Sequence, residues 1–109
     1  MIKDEIHLEL LRILESNPTY TQRDLSKYLG VSLGKVNYCM KKLTGKGLIK
    51  LKNFSRNPNK AGYAYLLTAK GIEEKGNLTI SFLKFKIQEY ELLKSEIEQL
   101  QQEALIKRL

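Results

Sequence analysis

The chain has 109 residues, one cysteine (Cys39), one histidine (His7) and a formal net charge of +7. That length suits one domain with an appendage, burying roughly 65% of its unfolded surface. A lone cysteine excludes an internal disulfide, a lone histidine leaves no metal-ligand cluster of the usual kind, and no apolar run approaches the ~20 residues that cross a bilayer.

A first helix is predicted over about Lys3–Ser16. Ile2, Ile6, Leu10, Ile13 and Leu14 recur at three- and four-residue spacing, and Leu8 and Leu11 widen the stripe. Asn17-Pro18 ends it, because a residue before proline is driven out of helical geometry. So wide a stripe implies burial against its own domain and against something more, either a second subunit or the long C-terminal helix. The acidic, amphipathic start MIKDEIHLEL does not read as a signal peptide, so a soluble cytoplasmic protein is expected.

A second helix begins with Thr21 as its cap, and Asp24 three residues on completes a weak capping box. Leu25 and Leu29 face inward, with Tyr28 at the margin. Gly30 supplies the left-handed residue that a tight turn requires, and Val31 plugs the space between the helices. A third helix runs from a Ser32 cap to a Gly47 terminator. Two short helices with this spacing of caps and turn read as a helix-turn-helix, which presents its second helix to the DNA major groove.

At 100° per residue the third helix separates into two faces. Val36, Cys39, Met40 and Leu43 form a core seam with Leu33 at its edge. Gly34, Lys35, Asn37, Tyr38, Lys41 and Lys42 lie opposite. Asn37 is the candidate for a bidentate contact to adenine, and Lys35 for guanine. Gly34 lets the helix N-terminus, opened by Ser32 and Leu33, approach a phosphate or base edge closely. Tyr38, Lys41 and Lys42 suit the phosphate backbone, which positions a protein without specifying sequence.

The runs LIKLKNF and YAYLL are β-prone, and SRNPNKAG between them holds turn formers and positive charge. They predict a hairpin with a basic tip, the wing of a winged helix-turn-helix, carrying Lys50, Lys52, Asn53, Arg56, Asn57 and Lys60. Thr68 caps a further helix, which either continues to the end or breaks at Gly76-Asn77. The charge supports this reading. Residues 21–67 hold ten Lys or Arg against Asp24, a net +9, whereas residues 1–20 sum to −2 and residues 68–109 to zero. Positive charge concentrated on one candidate reading unit is an electrostatic footprint for a polyanion.

From Leu83 the pattern is that of a short coiled coil. Leu83, Tyr90, Ile97 and Ala104 take a positions and Leu93 and Leu100 take d positions, although Lys86 and Lys107 also fall at d. Glu89, Glu96 and Glu103 at g face Lys94, Gln101 and Arg108 at e of a parallel partner; an antiparallel pair would oppose glutamates. Leu83, Tyr90, Leu93, Ile97 and Leu100 are therefore the dimerisation candidates. The fold class is mainly α with a small β-hairpin: a winged helix-turn-helix over residues 1–76 and a C-terminal coiled-coil-like dimerisation helix over 77–109.

Other residues have plainer readings. Cys39 sits on the core seam, where cysteines are usually inert, which outweighs a redox role. His7 reads as solvated or hydrogen-bonded rather than as a pH switch. For the Tyr63/Tyr65 pair, a strand with one packed and one half-exposed face outweighs a stacking platform for bases. No Ser/His/Asp or Cys/His set, phosphate loop or nucleophile elbow is present, so neither an enzyme nor a cofactor is expected.

Several blocks resemble a known group. Leu29-Gly30-Val31-Ser32-Leu33-Gly34-Lys35-Val36-Asn37-Tyr38, Leu66-Leu67-Thr68 and Lys70-Gly71-Ile72-Glu73-Glu74-Lys75 are similar to the small EPS-associated transcriptional regulators of the MarR family, over about Asp4 to Glu103. The resemblance implies a bacterial winged-helix regulator of exopolysaccharide or other surface-polysaccharide genes. Ser26 stands where many helix-turn-helix units carry alanine. The chain is shorter than a full-length MarR regulator, so no effector ligand is implied. The expected partner is double-stranded DNA, read at a palindromic site by a homodimer, with no membrane. The rival expectations are a winged-helix adaptor whose terminal helix recruits another protein, and a nonspecific architectural DNA binder.

Overall fold

The structure, a computed structural model, describes residues 3–53 and 63–108. Its elements are α1 (Lys3–Ser16), α2 (Gln22–Leu29), α3 (Leu33–Gly45), β1 (Ile49–Asn53), β2 (Tyr63–Leu67) and α4 (Ala69–Arg108). They fall into two compact units, residues 1–78 and residues 79–109.

In the first unit, α1 supplies the largest share of the core. Ile6, Leu10, Leu11, Ile13 and Leu14 join one buried cluster with Leu25 of α2, Val36, Cys39, Met40 and Leu43 of α3, and Ile49 and Tyr65 of the hairpin. Each such Leu or Ile side chain gains about 1.5–3 kcal/mol by leaving water. The wide stripe of α1 is thus accounted for within this chain, with Leu8 buried as well. His7 is only 4% exposed, on the wall of a cavity shared with Leu43, Leu48 and Leu78, which sets aside the solvated alternative.

The end of α3 is closed by the expected glycine. The helix stops at Gly45, and Gly47, with φ 73°, lies beyond it in the turn. The Leu48 amide donates to the Leu43 carbonyl at 3.0 Å and the Gly47 amide to that of Thr44 at 2.9 Å. This paired closure places the left-handed residue just outside the helix, so a terminating glycine marks a point past the last helical turn.

β1 and β2 pair antiparallel in the register Ile49↔Leu67, Leu51↔Tyr65 and Asn53↔Tyr63. The other edge of β2 is tied to the α1–α2 connection, the Tyr65 amide donating to the Pro18 carbonyl at 2.9 Å. Thr68 follows. Its hydroxyl accepts from the Gly71 amide at 3.0 Å, capping α4, and donates to the Gly47 carbonyl at 2.6 Å. α4 then runs unbroken through Gly76-Asn77, the alternative that the sequence left open. Within residues 79–108 every side chain is exposed except half-buried Phe82.

Two glycines of α4 make opposite predictions. A Cβ on Gly71 would overlap the backbone carbonyl oxygen of Leu48, whereas one on Gly76 meets nothing within 4 Å. Gly71→Ala should cost about 1–3 kcal/mol by overpacking against an atom that cannot move away. Gly76→Ala should gain up to ~1 kcal/mol, because alanine favours the helix. Thermal unfolding of the two variants should therefore shift in opposite directions, by roughly 4–8 °C per kcal/mol.

Candidate nucleic-acid interface

The second helix of the candidate reading unit is held by its ends. Thr21 and Asp24 satisfy each other's amides, Thr21 N–H to Asp24 Oδ2 at 2.9 Å and Asp24 N–H to Thr21 Oγ1 at 3.1 Å, which fixes the start of α2. Its end is closed by Gly30 at φ 67°, whose amide donates to the Ser26 carbonyl at 2.9 Å. Ser26 then reaches across the turn, its hydroxyl donating to the Val31 carbonyl at 2.5 Å. The residue found in place of alanine thus fastens the turn as well as fitting it. Ser32 begins α3 by accepting from the Lys35 amide at 3.1 Å.

α3 divides as its periodicity predicts. Val36, Cys39, Met40 and Leu43 are buried, with Cys39 in the core rather than at a reactive surface. Ser32, Leu33, Gly34, Lys35, Tyr38 and Lys41 are exposed, and Asn37 and Lys42 are half-buried. Lys42 Nζ lies 5.2 Å from the centre of the Tyr38 ring, so the two form one cation–aromatic pair. Lys35 and Lys41 extend from separate turns.

Asn37 has partners that the sequence did not disclose. Its Nδ2 donates to Gln22 Oε1 at 3.1 Å, and Gln22 Nε2 donates to the Tyr65 hydroxyl at 3.2 Å. Tyr65 is nearly buried and Tyr63 packs edge-on against it, with ring centres 5.3 Å apart. Burial first, and then Tyr65, push the Tyr63 phenol above its ordinary pKa. Around this relay lies an open concavity of about 680 Å³ lined by Thr21, Gln22, Arg23, Leu33, Gly34, Asn37 and Tyr63. Gln22 and Arg23 are the additions to the sequence-based set. The signal for them was their place in the first turn of α2, which faces the first turns of α3 in a helix-turn-helix.

Residues 3–50 match the family model described as winged helix-turn-helix DNA-binding. The hairpin that follows α3 completes the pattern. The first unit is a winged helix-turn-helix. Over 60 residues the chain is 40% identical to the HTH-type transcriptional regulator Ptr1 of Methanocaldococcus jannaschii, a match covering 55% of this chain and 40% of that protein. Among solved structures, a MepR mutant of S. aureus superposes with TM-score 0.63 at 19% identity, over 92% of this chain and 77% of that one. FabT of Streptococcus pneumoniae, solved in complex with DNA, gives TM-score 0.56 at 24% identity, over 76% of this chain and 56% of that one. The likeness to these structures is one of fold alone, and the chain spans less than half the length of Ptr1.

In this winged helix-turn-helix, Lys50 and Lys52 are exposed on β1 and Asn53 ends the strand. Arg56, Asn57 and Lys60 lie outside the described residues. The five dimerisation candidates, Leu83, Tyr90, Leu93, Ile97 and Leu100, are all exposed, between 46% and 62%. No described helix is long and apolar enough to cross a membrane.

The Asp24 carboxyl is held below its ordinary value by the Thr21 amide, then by the Thr21 hydroxyl, with Lys27 assisting. A depressed folded pKa means that this cap stabilises α2 above the unfolded carboxylate pKa and is lost as pH falls through the folded one. An NMR titration should therefore place the Asp24 midpoint below 3.8, with the Thr21 amide shift following the same curve. A midpoint at or above that value would contradict the capping geometry.

Proposed function

We propose that this chain is a sequence-specific DNA-binding transcriptional regulator acting as a homodimer. A fold alone does not assign a function, so the reading rests on the site. The observation that carries it is the division of α3. One face is wholly core, and the other presents Gly34, Lys35, Asn37, Tyr38 and Lys41 within a segment of net charge +9. Asn37 and Lys35 read base edges, Tyr38, Lys41 and Lys42 hold phosphates, and the wing with Lys52, Asn53, Arg56, Asn57 and Lys60 grips the adjacent backbone or minor groove. The DNA complex of FabT and the name of Ptr1 support the same class of function.

The exposed a and d residues of α4 support pairing with a second copy. A two-fold dimer reads a palindrome whose half-sites lie about one helical turn, roughly 10 bp, apart. The resemblance of the Leu29–Tyr38 and Lys70–Lys75 blocks to EPS-associated regulators makes surface-polysaccharide genes the targets to examine first. Genome-wide mapping of bound DNA tests specificity and targets together. Enrichment without any common sequence would favour a nonspecific architectural binder.

Two solution measurements bear on the mechanism. Binding should weaken with salt at ~0.9 log unit per log unit for each phosphate neutralised, and Lys41→Ala should reduce the slope by about two per dimer without changing base preference. Salt-independent binding would sink the model. Separately, Leu93→Asp with Leu100→Asp should convert a dimer to a monomer in sedimentation and weaken binding to the palindrome far more than to one half-site. A wild-type chain that sediments as a monomer favours the adaptor reading.

A further inference from the structure

We propose that Gln22 is a positioning residue for base reading: anchored on the Tyr65 hydroxyl, it orients the Asn37 amide so that its free edge matches adenine. The inference rests on the DNA-reading role proposed above and deepens it.

The argument begins with hydrogen counting. An amide nitrogen carries two hydrogens, one beside the carbonyl oxygen and one pointing away from it. Asn37 spends one on Gln22 Oε1 at 3.1 Å. When that is the outer hydrogen, Oδ1 and the inner N–H remain together as an acceptor–donor edge. Adenine presents the complementary pair in the major groove, the N6 donor and the N7 acceptor. Guanine presents two acceptors, so the same edge meets it with one oxygen opposed to another.

Gln22 couples the Asn37 orientation to its own because it is held at both ends. It is half-buried, its Nε2 donates to Tyr65 at 3.2 Å, and Tyr65 is itself fixed by burial and by the edge of Tyr63. A lone asparagine on a helix surface would rotate between its two amide orientations and present either edge. Within the relay it turns over only if Gln22 turns with it. A hydroxyl both donates and accepts, so that concerted reversal is chemically complete, and it defines the decisive variant. Gln22→Glu offers only acceptors. It keeps Asn37 donating toward position 22 and leaves Tyr65 to donate, which removes the reversed state.

The test measures the affinity ratio of full-length protein for its selected site and for the same site with adenine replaced by guanine at the Asn37 position. Random duplex and the unfolding temperature of each variant serve as controls. Asn37→Ala should reduce the ratio by roughly 5- to 100-fold, the range of one good bidentate contact. Gln22→Ala should reduce it about fivefold, the worth of one hydrogen bond, over and above any uniform change in random-duplex affinity. Gln22→Glu should keep the ratio while weakening binding to all duplexes, because it adds negative charge near phosphate. In an Asn37→Ala background, Gln22→Ala should remove nothing further, since it acts through the side chain already lost. A full ratio in Gln22→Ala overturns the inference, and so does an equal loss in both backgrounds, which would make Gln22 itself the reader. A wild-type protein that prefers no base at any position overturns the DNA-reading role together with this one.

Discussion

The first unit depends on one small cluster of bonds around Thr68. Its amide donates to the Leu48 carbonyl at 3.0 Å, its hydroxyl donates to Gly47 at 2.6 Å, and the same oxygen accepts the Gly71 amide at 3.0 Å. One residue thereby joins the turn after α3, the base of the hairpin and the start of α4. The close approach also explains why position 71, in the first turn of α4, is glycine. The Leu48 carbonyl occupies the space where a side chain would begin. Because β1 starts at the residue after Leu48, this cluster sets where the wing leaves the recognition helix.

Much of this was legible in the sequence, because the devices involved are local. Thr21, Asp24, Gly30 and Ser32, and Thr68 in its bond to the Gly71 amide, act within a few residues of themselves and do structurally what their chemistry dictates. The two faces of α3 followed from period alone. The misplaced features were those needing a partner far away in the chain. Gln22 meets Tyr65 across 43 positions and Asn37 across 15, and no periodicity reports such a meeting. The solvated alternative for His7 failed for the converse reason. A stripe reading puts a polar residue on the outer face, but α1 is so deeply packed that this position has little outer face left.

The second unit shows where periodicity underdetermines the answer. The heptad reading accounts for Leu83, Tyr90, Leu93, Ile97 and Leu100, but Phe85 and Leu92, equally exposed, fall outside that seam. Lys86 occupies a d position, and within the chain its ammonium pairs with Glu89 at 3.1 Å and lies 5.1 Å from the Phe82 ring centre. A lysine can keep its charge at the edge of a seam while its stem covers apolar surface. The interruption therefore weakens the seam without abolishing it.

Under the proposed DNA-reading role, the arrangement of α3 separates two tasks that are often carried by the same residues. Lys35 and Lys41 are exposed and extend on flexible stems, suited to the long-range attraction of a charged backbone. Asn37 is half-buried and tethered, unsuited to attraction but suited to discrimination. Charge confers affinity that falls with salt and ignores sequence. A tethered amide adds little affinity, but it forfeits a buried hydrogen bond whenever the wrong base is presented, and that loss is nearly independent of salt. Because the tether ends on Tyr65 in β2, the discriminating atom is fixed by the hairpin as well as by its own helix. On this argument the wing contributes to specificity through its packed root, a role separate from any contact made by its basic tip.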